Sequence, residues 1–268
     1  MTDEIPLGKT TSYPEEYDPS LLFAITRAES RSLLSLGNDL PFNGCDIWTA
    51  WELTWLNANG VPQVASAEIH VPAYSPQLIE SKSLKLYLGS FAMTKFESVE
   101  KLQRLIESDL NACTGSDIEL HIHDTANDTD IEEFSGICVD SMDTSCDVFD
   151  VDAGFLQASG DIVEETLHSH LLRSLCPVTS QPDLGSVMIS YRGPQIDRVG
   201  LLRYIVSFRQ HNDFHEACVE RMFMDISARC NPEQLTVYAR YQRRGGIDIN
   251  PFRSNFEAPP GRMRLRRQ

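Results

Sequence analysis

No stretch of this sequence approaches the ~20 consecutive apolar residues that a bilayer-crossing helix requires. The opening residues Met1-Thr2-Asp3-Glu4 are acidic where a secretory leader would be basic. The expectation is a soluble, cytoplasmic protein with no membrane partner. Paired Cys-x-x-Cys spacing is missing and the seven cysteines are an odd number, so neither a disulfide framework nor a structural zinc site is suggested. His168 and His170 alone are too weak a cluster to call for zinc, and no metal is expected. A Gly-x-Gly-x-x-Gly run is also missing, which excludes a Rossmann-type nucleotide loop. Positive charge is scarce: 23 Lys and Arg face 39 Asp and Glu, for a formal net charge of −16. Such a balance repels phosphate backbones, and direct nucleic-acid binding is not expected. The scarcity is uneven. Residues 105–172 hold no Lys or Arg and read as a solvated acidic face and a connection, whereas Arg240, Arg243, Arg244, Arg253, Arg262, Arg264, Arg266 and Arg267 crowd the C-terminal tail. That tail suits the phosphates of a small cofactor, or simple pairing with the acidic surface.

Against these gaps stand 268 residues with an apolar share of 41%, enough for one large core or two ordinary ones. The segment Cys176-Pro177-Val178-Thr179-Ser180-Gln181-Pro182-Asp183 places a thiol and a carboxyl at the two ends of a loop pinned by prolines. A thiol attacks only as thiolate, and at its ordinary pKa of about 8.5 it is mostly protonated near neutrality, so it needs a base nearby. Asp183 is the candidate base. His215-Glu216 downstream adds a proton carrier and a polar anchor. Taken alone, Cys176 reads more simply as a small buried hydrophobe.

The chain also repeats itself. Ile79-Glu80, Leu84, Tyr87 and Ser90-Phe91 match Ile196-Asp197, Leu201, Tyr204 and Ser207-Phe208 at one shift (196 − 79 = 117). Each copy continues into a second amphipathic segment, ending near Cys113 and Cys230 respectively. In the first copy Thr94 and Glu97 form a candidate capping box before Val99, Leu102, Leu105, Ile106 and Leu110. In the second, Asp213 and Glu216 are placed to open a helix that turns Cys218, Val219, Met222, Phe223 and Ile226 inward. Alternating runs at 67–71, 118–122, 186–191 and 235–241 predict strands flanking each helix pair. The order implies α+β units with helices on one face of an antiparallel sheet. The irregular stretch 125–160 is the expected boundary, although 138–149 could extend a sheet, and residues 1–18, with Pro6 and Pro14, read as irregular. The copies differ in a complementary way: Glu80-Ser81-Lys82 becomes Asp197-Arg198-Val199, while Asn59 stands where the second copy has Cys176. One composite site drawing on both copies is the simplest expectation.

Glu80-Ser81-Lys82-Ser83-Leu84-Lys85-Leu86-Tyr87, together with the Cys176 to Asp183 segment, resembles the NADPH-dependent nitrile reductases of queuosine biosynthesis in their long, two-module form. Leu7-Gly8-Lys9, Gly44-Cys45-Asp46-Ile47-Trp48, Phe214-His215-Glu216, Tyr238-Ala239-Arg240-Tyr241 and Arg243-Arg244-Gly245-Gly246 extend the resemblance over nearly the whole chain. Leu184 departs from it, since family members often carry an aromatic residue there. The resemblance implies two tandem tunnelling-fold modules, residues 1–150 and 151–268. It also implies reduction of 7-cyano-7-deazaguanine to its 7-aminomethyl form with NADPH as cofactor, a small-molecule 7-deazaguanine substrate, and a homodimer. It makes Cys176 the nucleophile and Asp183 the proton carrier. Ile79, Glu80, Ser81, His215 and Glu216 would contact substrate, and Ser81, Lys82, Arg244 and Gly245 the cofactor. Residue chemistry leaves blander roles open: Glu216 as a helix cap, His215 as a polar first-turn residue, Lys82 and Lys85 as solvated charges. The competing functions are a tunnelling-fold hydrolase of GTP or a pterin, which would want zinc, and a non-catalytic purine-binding protein, which would not need Cys176.

Overall fold

Residues 13–14, 16–37, 39–124 and 130–268 are described by a computed structural model of the chain. The Leu7-Gly8-Lys9 stretch, Pro6 and residues 125–129 of the expected boundary lie outside the described residues. Packing divides the chain into two units. The first comprises Met1–Ser30, Asp46–Thr129 and Arg243–Asp248; the second comprises Arg31–Cys45, Asp130–Gln242 and Ile249–Gln268. Residues 31–45 and 130–150 pack with the second unit, and a six-residue return, Arg243–Asp248, packs with the first. Among the described residues no helix is long and apolar enough to cross a membrane.

The chain enters through β1 (Ala24–Thr26) and a short helix, α1 (Ala28–Leu33), and β2 (Asn43–Leu56) carries it into the first unit. There β3 (Pro62–Pro72), β4 (Gln77–Ile79), α2 (Ser81–Gly89), α3 (Val99–Thr114) and β5 (Glu119–Asp124) follow. The sheet order is β5-β3-β2, and β1 pairs separately with β4. The predicted strands at 67–71 and 118–122 fall in β3 and β5, paired antiparallel with Ala67 opposite Ile122. Helix α3 buries Leu102, Ile106 and Leu110 at the expected spacing, although Val99 is exposed. Its cap is Ser98, which accepts from Lys101 N. Thr94 is spent elsewhere, accepting from Tyr17 N and donating to Ser90 O, so the predicted Thr94–Glu97 box does not form.

In the second unit come β6 (Ile131–Glu132), β7 (Ile137–Cys138), β8 (Ala158–Leu175), β9 (Pro182–Ile196), α4 (Arg198–Ser207), α5 (His215–Cys230), β10 (Gln234–Tyr241), β11 (Ile247–Ser254), whose first two residues belong to the first unit, and β12 (Arg264–Leu265). Strand order is β11-β10-β9-β8-β7. The long neighbours run antiparallel, but β7 lies parallel to β8 and β12 parallel to β6. Of the expected sheet extension at 138–149 only Cys138, the last residue of β7, is strand. The class is α+β. All five predicted inward residues of α5 are buried, each worth roughly 1.5–3 kcal/mol for a large apolar side chain.

The duplication is visible in hydrogen bonds within each unit. Glu80 caps α2 by accepting from Lys82 N and Ser83 N, and Asp197 caps α4 by accepting from Val199 N and Gly200 N. The Tyr87 hydroxyl donates to Asp109 at 2.7 Å and the Tyr204 hydroxyl to Asp225 at 2.7 Å. Each tyrosine meets a phenylalanine edge to face, Phe91 and Phe208. The left-handed caps of the second helices, Gly115 and Asn231, stand at 231 − 115 = 116, so the second copy has lost one residue between its helices.

Arg31 and Arg253 both grip Glu220 inside the second unit, at 2.7 and 2.8 Å, with all three side chains buried or nearly so. Gly44 (φ 135°) permits this strand to press on the Phe252 carbonyl, where a Cβ would sit 2.1 Å away. Removing Glu220 strands two buried guanidinium ions. Glu220→Ala is therefore expected to destabilise the protein by about 3–5 kcal/mol, read as the shift in a urea unfolding midpoint at unchanged slope; a shift no larger than that of a surface substitution would contradict the ion triad.

Candidate active site

Strands β8 and β9 pair through Ser174↔Asp183 and Leu175↔Pro182, and Cys176 N donates to Gln181 O at 2.9 Å. The six residues between the strands therefore form the hairpin loop, with Pro182 opening β9 at a position that needs no N–H. Ser180, at φ 56°, donates its N–H to the Cys176 carbonyl at 2.9 Å and tightens the turn. Cys176 is 5% exposed and Asp183 4%. The sequence placed the thiol and carboxyl at the two ends of a loop but did not anticipate strand β8, which makes that loop a hairpin; both groups are withdrawn from bulk water.

The segment leading to α5 is tied to the same place: Leu175 N donates to His211 O and Asp213 N to Leu175 O. This delivers His215 to Asp183, with Nε2 3.2 Å from the carboxylate Oδ1. Tyr241 of β10 lies flat against the imidazole, ring centroids 3.8 Å apart and planes within 4°. Nδ1 of His215 is buried and makes no hydrogen bond among the described residues. Glu216 is 2% exposed in the first turn of α5. The cap position is Phe214, whose side chain makes no capping hydrogen bond, and Asp213 accepts from Phe214 N. A carboxylate is thus buried at the positive end of a helix, where its charge is favoured.

A second thiol, Cys218, sits one turn further along α5 and is fully buried. Burial pushes it well above the usual thiol range, and the charges of Asp213 and Asp183 push the same way, so it stays protonated and inert. Burial likewise keeps the Tyr241 phenol neutral. From sequence Cys218 was one inward residue of a helix face and Tyr241 one member of a stretch that extends the family resemblance; neither was assigned to the site.

In the first unit Ile79 ends β4 and Glu80 caps α2, its two oxygens 2.9 and 2.7 Å from Lys82 N and Ser83 N. Burial raises the Glu80 pKa, and these backbone bonds oppose that. Ser81 and Lys82 are half-exposed at the helix start. The Arg244-Gly245-Gly246-Ile247 turn closes with Arg244 N donating to Ile247 O at 2.8 Å, and both glycines have positive φ, 61° and 86°. A Cβ on Gly245 would come 2.8 Å from the Lys85 side chain. The turn and α2, 160 residues apart in sequence (245 − 85 = 160), are therefore neighbours, with Arg243 stacked over Trp51 at 4.3 Å beside them. Lys85 is exposed, in line with the solvated charge read from sequence, and its side chain also lies against Gly245. A helix start, an open glycine turn and Lys82, Lys85 and Arg244 together suit a phosphate-bearing ligand.

Residues 13–122 match the family described as nitrile reductase, 7-cyano-7-deazaguanine-reductase N-term, and residues 182–260 match the QueF-like protein family. Curated relatives from Paraburkholderia phymatum and Paraburkholderia phytofirmans are 52% and 54% identical, each over 99% of both chains, and one from Burkholderia ambifaria is 54% identical over 98% of both. All three are named NADPH-dependent 7-cyano-7-deazaguanine reductase. The chain belongs to the 7-cyano-7-deazaguanine reductase family. The crystal structure of the archaeosine synthase QueF-Like in the apo form is similar over 38% of this chain and 99% of its own, at 17% identity and a TM-score of 0.32. Within the reductase family matches, Ile79, Glu80, Ser81 and Lys82 lie in the first segment and Asp183, His215, Glu216, Arg244 and Gly245 in the second, while Cys176 falls between them. Leu184, the departure from the reductase pattern, is exposed on β9.

Proposed function

We propose that this protein reduces the nitrile of 7-cyano-7-deazaguanine to the primary amine with NADPH, in queuosine biosynthesis, through a covalent adduct on Cys176. The observation that carries the chemistry is the hairpin base, where Cys176 and Asp183 are both buried and His215 Nε2 stands 3.2 Å from the Asp183 carboxylate. The Cys176 S–H adds across C≡N, sulfur bonding to carbon and the proton reaching nitrogen by way of Asp183, to give a thioimide. NADPH, when bound, supplies the two hydrides of the overall reduction, and each hydride is matched by one proton. After the first hydride, loss of Cys176 as thiol leaves an imine; after the second, the amine is complete. Asp183, backed by His215, alternates as base and acid. Glu216 accepts two parallel hydrogen bonds from the ring N–H and amino group of the purine-like edge, which a buried carboxylate is well placed to do. Ile79, Glu80 and Ser81 add substrate contacts.

Ser81, Lys82, Arg244 and Gly245 are assigned to the cofactor phosphates. The neighbouring placement of the glycine turn and α2 within one unit supports this. Lys82→Ala is expected to raise KM for NADPH about 10–100-fold with a smaller change in kcat, and to leave adduct formation on Cys176 intact; an unchanged KM would remove Lys82 from the cofactor set. We assign the two copies to tandem tunnelling-fold modules and expect a homodimer, which light scattering of the purified protein would read. The test of the function itself is NADPH oxidation by purified protein. It should occur only when the nitrile base is present and consume two equivalents per amine formed. Oxidation without the nitrile, or none with it, would overturn the proposal.

A further inference from the structure

Strand β7 is held to β8 by only two residue pairs, Ile137↔Leu167 and Cys138↔His168. The second pair sets a thiol directly beside an imidazole. His170 lies two residues along β8, where the pairing with β9 becomes irregular between Ser169 and Leu172, and one ligating atom from each of Cys138, His168 and His170 lies within 4.8 Å of the others. From sequence the two histidines were set aside as too weak a cluster. The third member is 30 residues away (168 − 138 = 30) and joins them only through the parallel pairing.

The surroundings are ordered in the way that metal-binding histidines usually are, with the ring nitrogen away from the metal held by a backbone or side-chain oxygen. Nδ1 of His168 lies 3.1 Å from the Ser135 carbonyl, which can only accept, so Nδ1 donates there and Nε2 is the ring nitrogen left to face a ligand. Nδ1 of His170 lies 2.8 Å from the Ser186 hydroxyl. Asp140 fixes the strand around them, accepting from Ser169 Oγ at 2.6 Å and His170 N at 3.0 Å. The rings of His168 and His170 meet edge to face at 5.3 Å, with Phe134 covering His168. His168 is buried, whereas Cys138 and His170 are half-buried, which leaves a side open to water.

We propose that Cys138, His168 and His170 bind one zinc(II) ion, with water in the fourth position, and that this ion fastens the end of the acidic connection to β8. One thiolate and two imidazoles match the borderline-soft preference of zinc, and no step of the nitrile reduction uses them. Binding replaces the Cys138 S–H bond with an S–Zn bond and releases one proton to solvent.

Metal-stripped protein titrated with Co(II) is the probe. Wild type should develop a thiolate-to-cobalt absorption band that saturates at one equivalent and is displaced by zinc. Cys176→Ala should keep the band, and the double variant Cys138→Ser with His170→Asn should lose it, with zinc affinity falling by more than the ~10–100-fold of a lost outer partner. Zinc should raise the Tm of wild type and Cys176→Ala but not of the double variant. Should the double variant not fold, wild type alone still decides the matter: zinc should slow alkylation of Cys138 while leaving Cys146 unchanged. Absence of the band in wild type, its loss in Cys176→Ala, its persistence in the folded double variant, or equal Cys138 alkylation with and without zinc would overturn the proposal.

Discussion

Cys176→Ala is expected to lower kcat for nitrile reduction by on the order of 10⁴-fold or more, since a covalent route has no substitute nucleophile once its sulfur is gone. Cys218 of α5 is fully buried and held protonated by that burial, so it cannot take over. The fold should survive, because alanine keeps the Cβ and the loop is held by backbone bonds from Cys176 N to Gln181 O and from Ser180 N to Cys176 O. Circular dichroism and substrate binding should therefore remain close to wild type while turnover disappears. Substantial turnover in this variant would show that hydride reaches the nitrile without prior capture by sulfur.

Asp183→Asn tests the proton. The amide matches the carboxyl in size and still reaches the His215 ring 3.2 Å away, but it neither takes up nor releases a proton near neutrality. A loss of about 10²–10⁴-fold in kcat is expected, the range for removing a positioned acid–base group. KM for the nitrile should change far less, because Glu216 rather than Asp183 is assigned to the purine edge. Stopped or slowed adduct formation would place Asp183 in the first proton transfer; a normal adduct that is reduced slowly would place it in the later ones. Near wild-type kcat would sink the assignment and move the proton to His215 or water.

Much of this arrangement was legible because it is local. The apolar face of α5 follows from residue spacing, and the loop from Cys176 to Asp183 from two prolines that restrict their own and the preceding residues, whereas strand β8, which makes that loop a hairpin, was not read from sequence. The helix starts at Glu80 and Asp197 matched because short acidic side chains meet free N–H groups wherever a helix opens. The cap of α3 was misplaced by four residues because Thr94 and Ser98 are both competent caps, and only the bond from Tyr17 N to Thr94 decides between them. Contacts made by distant segments left no trace in the spacing. Arg243–Asp248 returning to the first unit, Lys85 against Gly245, Tyr241 under His215 and Cys138 beside His168 each depend on strand pairing that local pattern does not encode. The same holds for the lost residue between α4 and α5, which changes the offset of the copies from 117 to 116 only after the first helix (198 − 81 and 231 − 115).

Covalent capture of the nitrile by Cys176 is tested most directly by intact-protein and peptide mass spectrometry of wild type mixed with 7-cyano-7-deazaguanine in the absence of NADPH. The expected result is a mass gain of one substrate molecule, located on the peptide containing Cys176, absent from Cys176→Ala, and lost when NADPH is added as the amine is released. An unmodified Cys176 peptide under conditions where the same preparation turns over with NADPH would contradict the thioimide route.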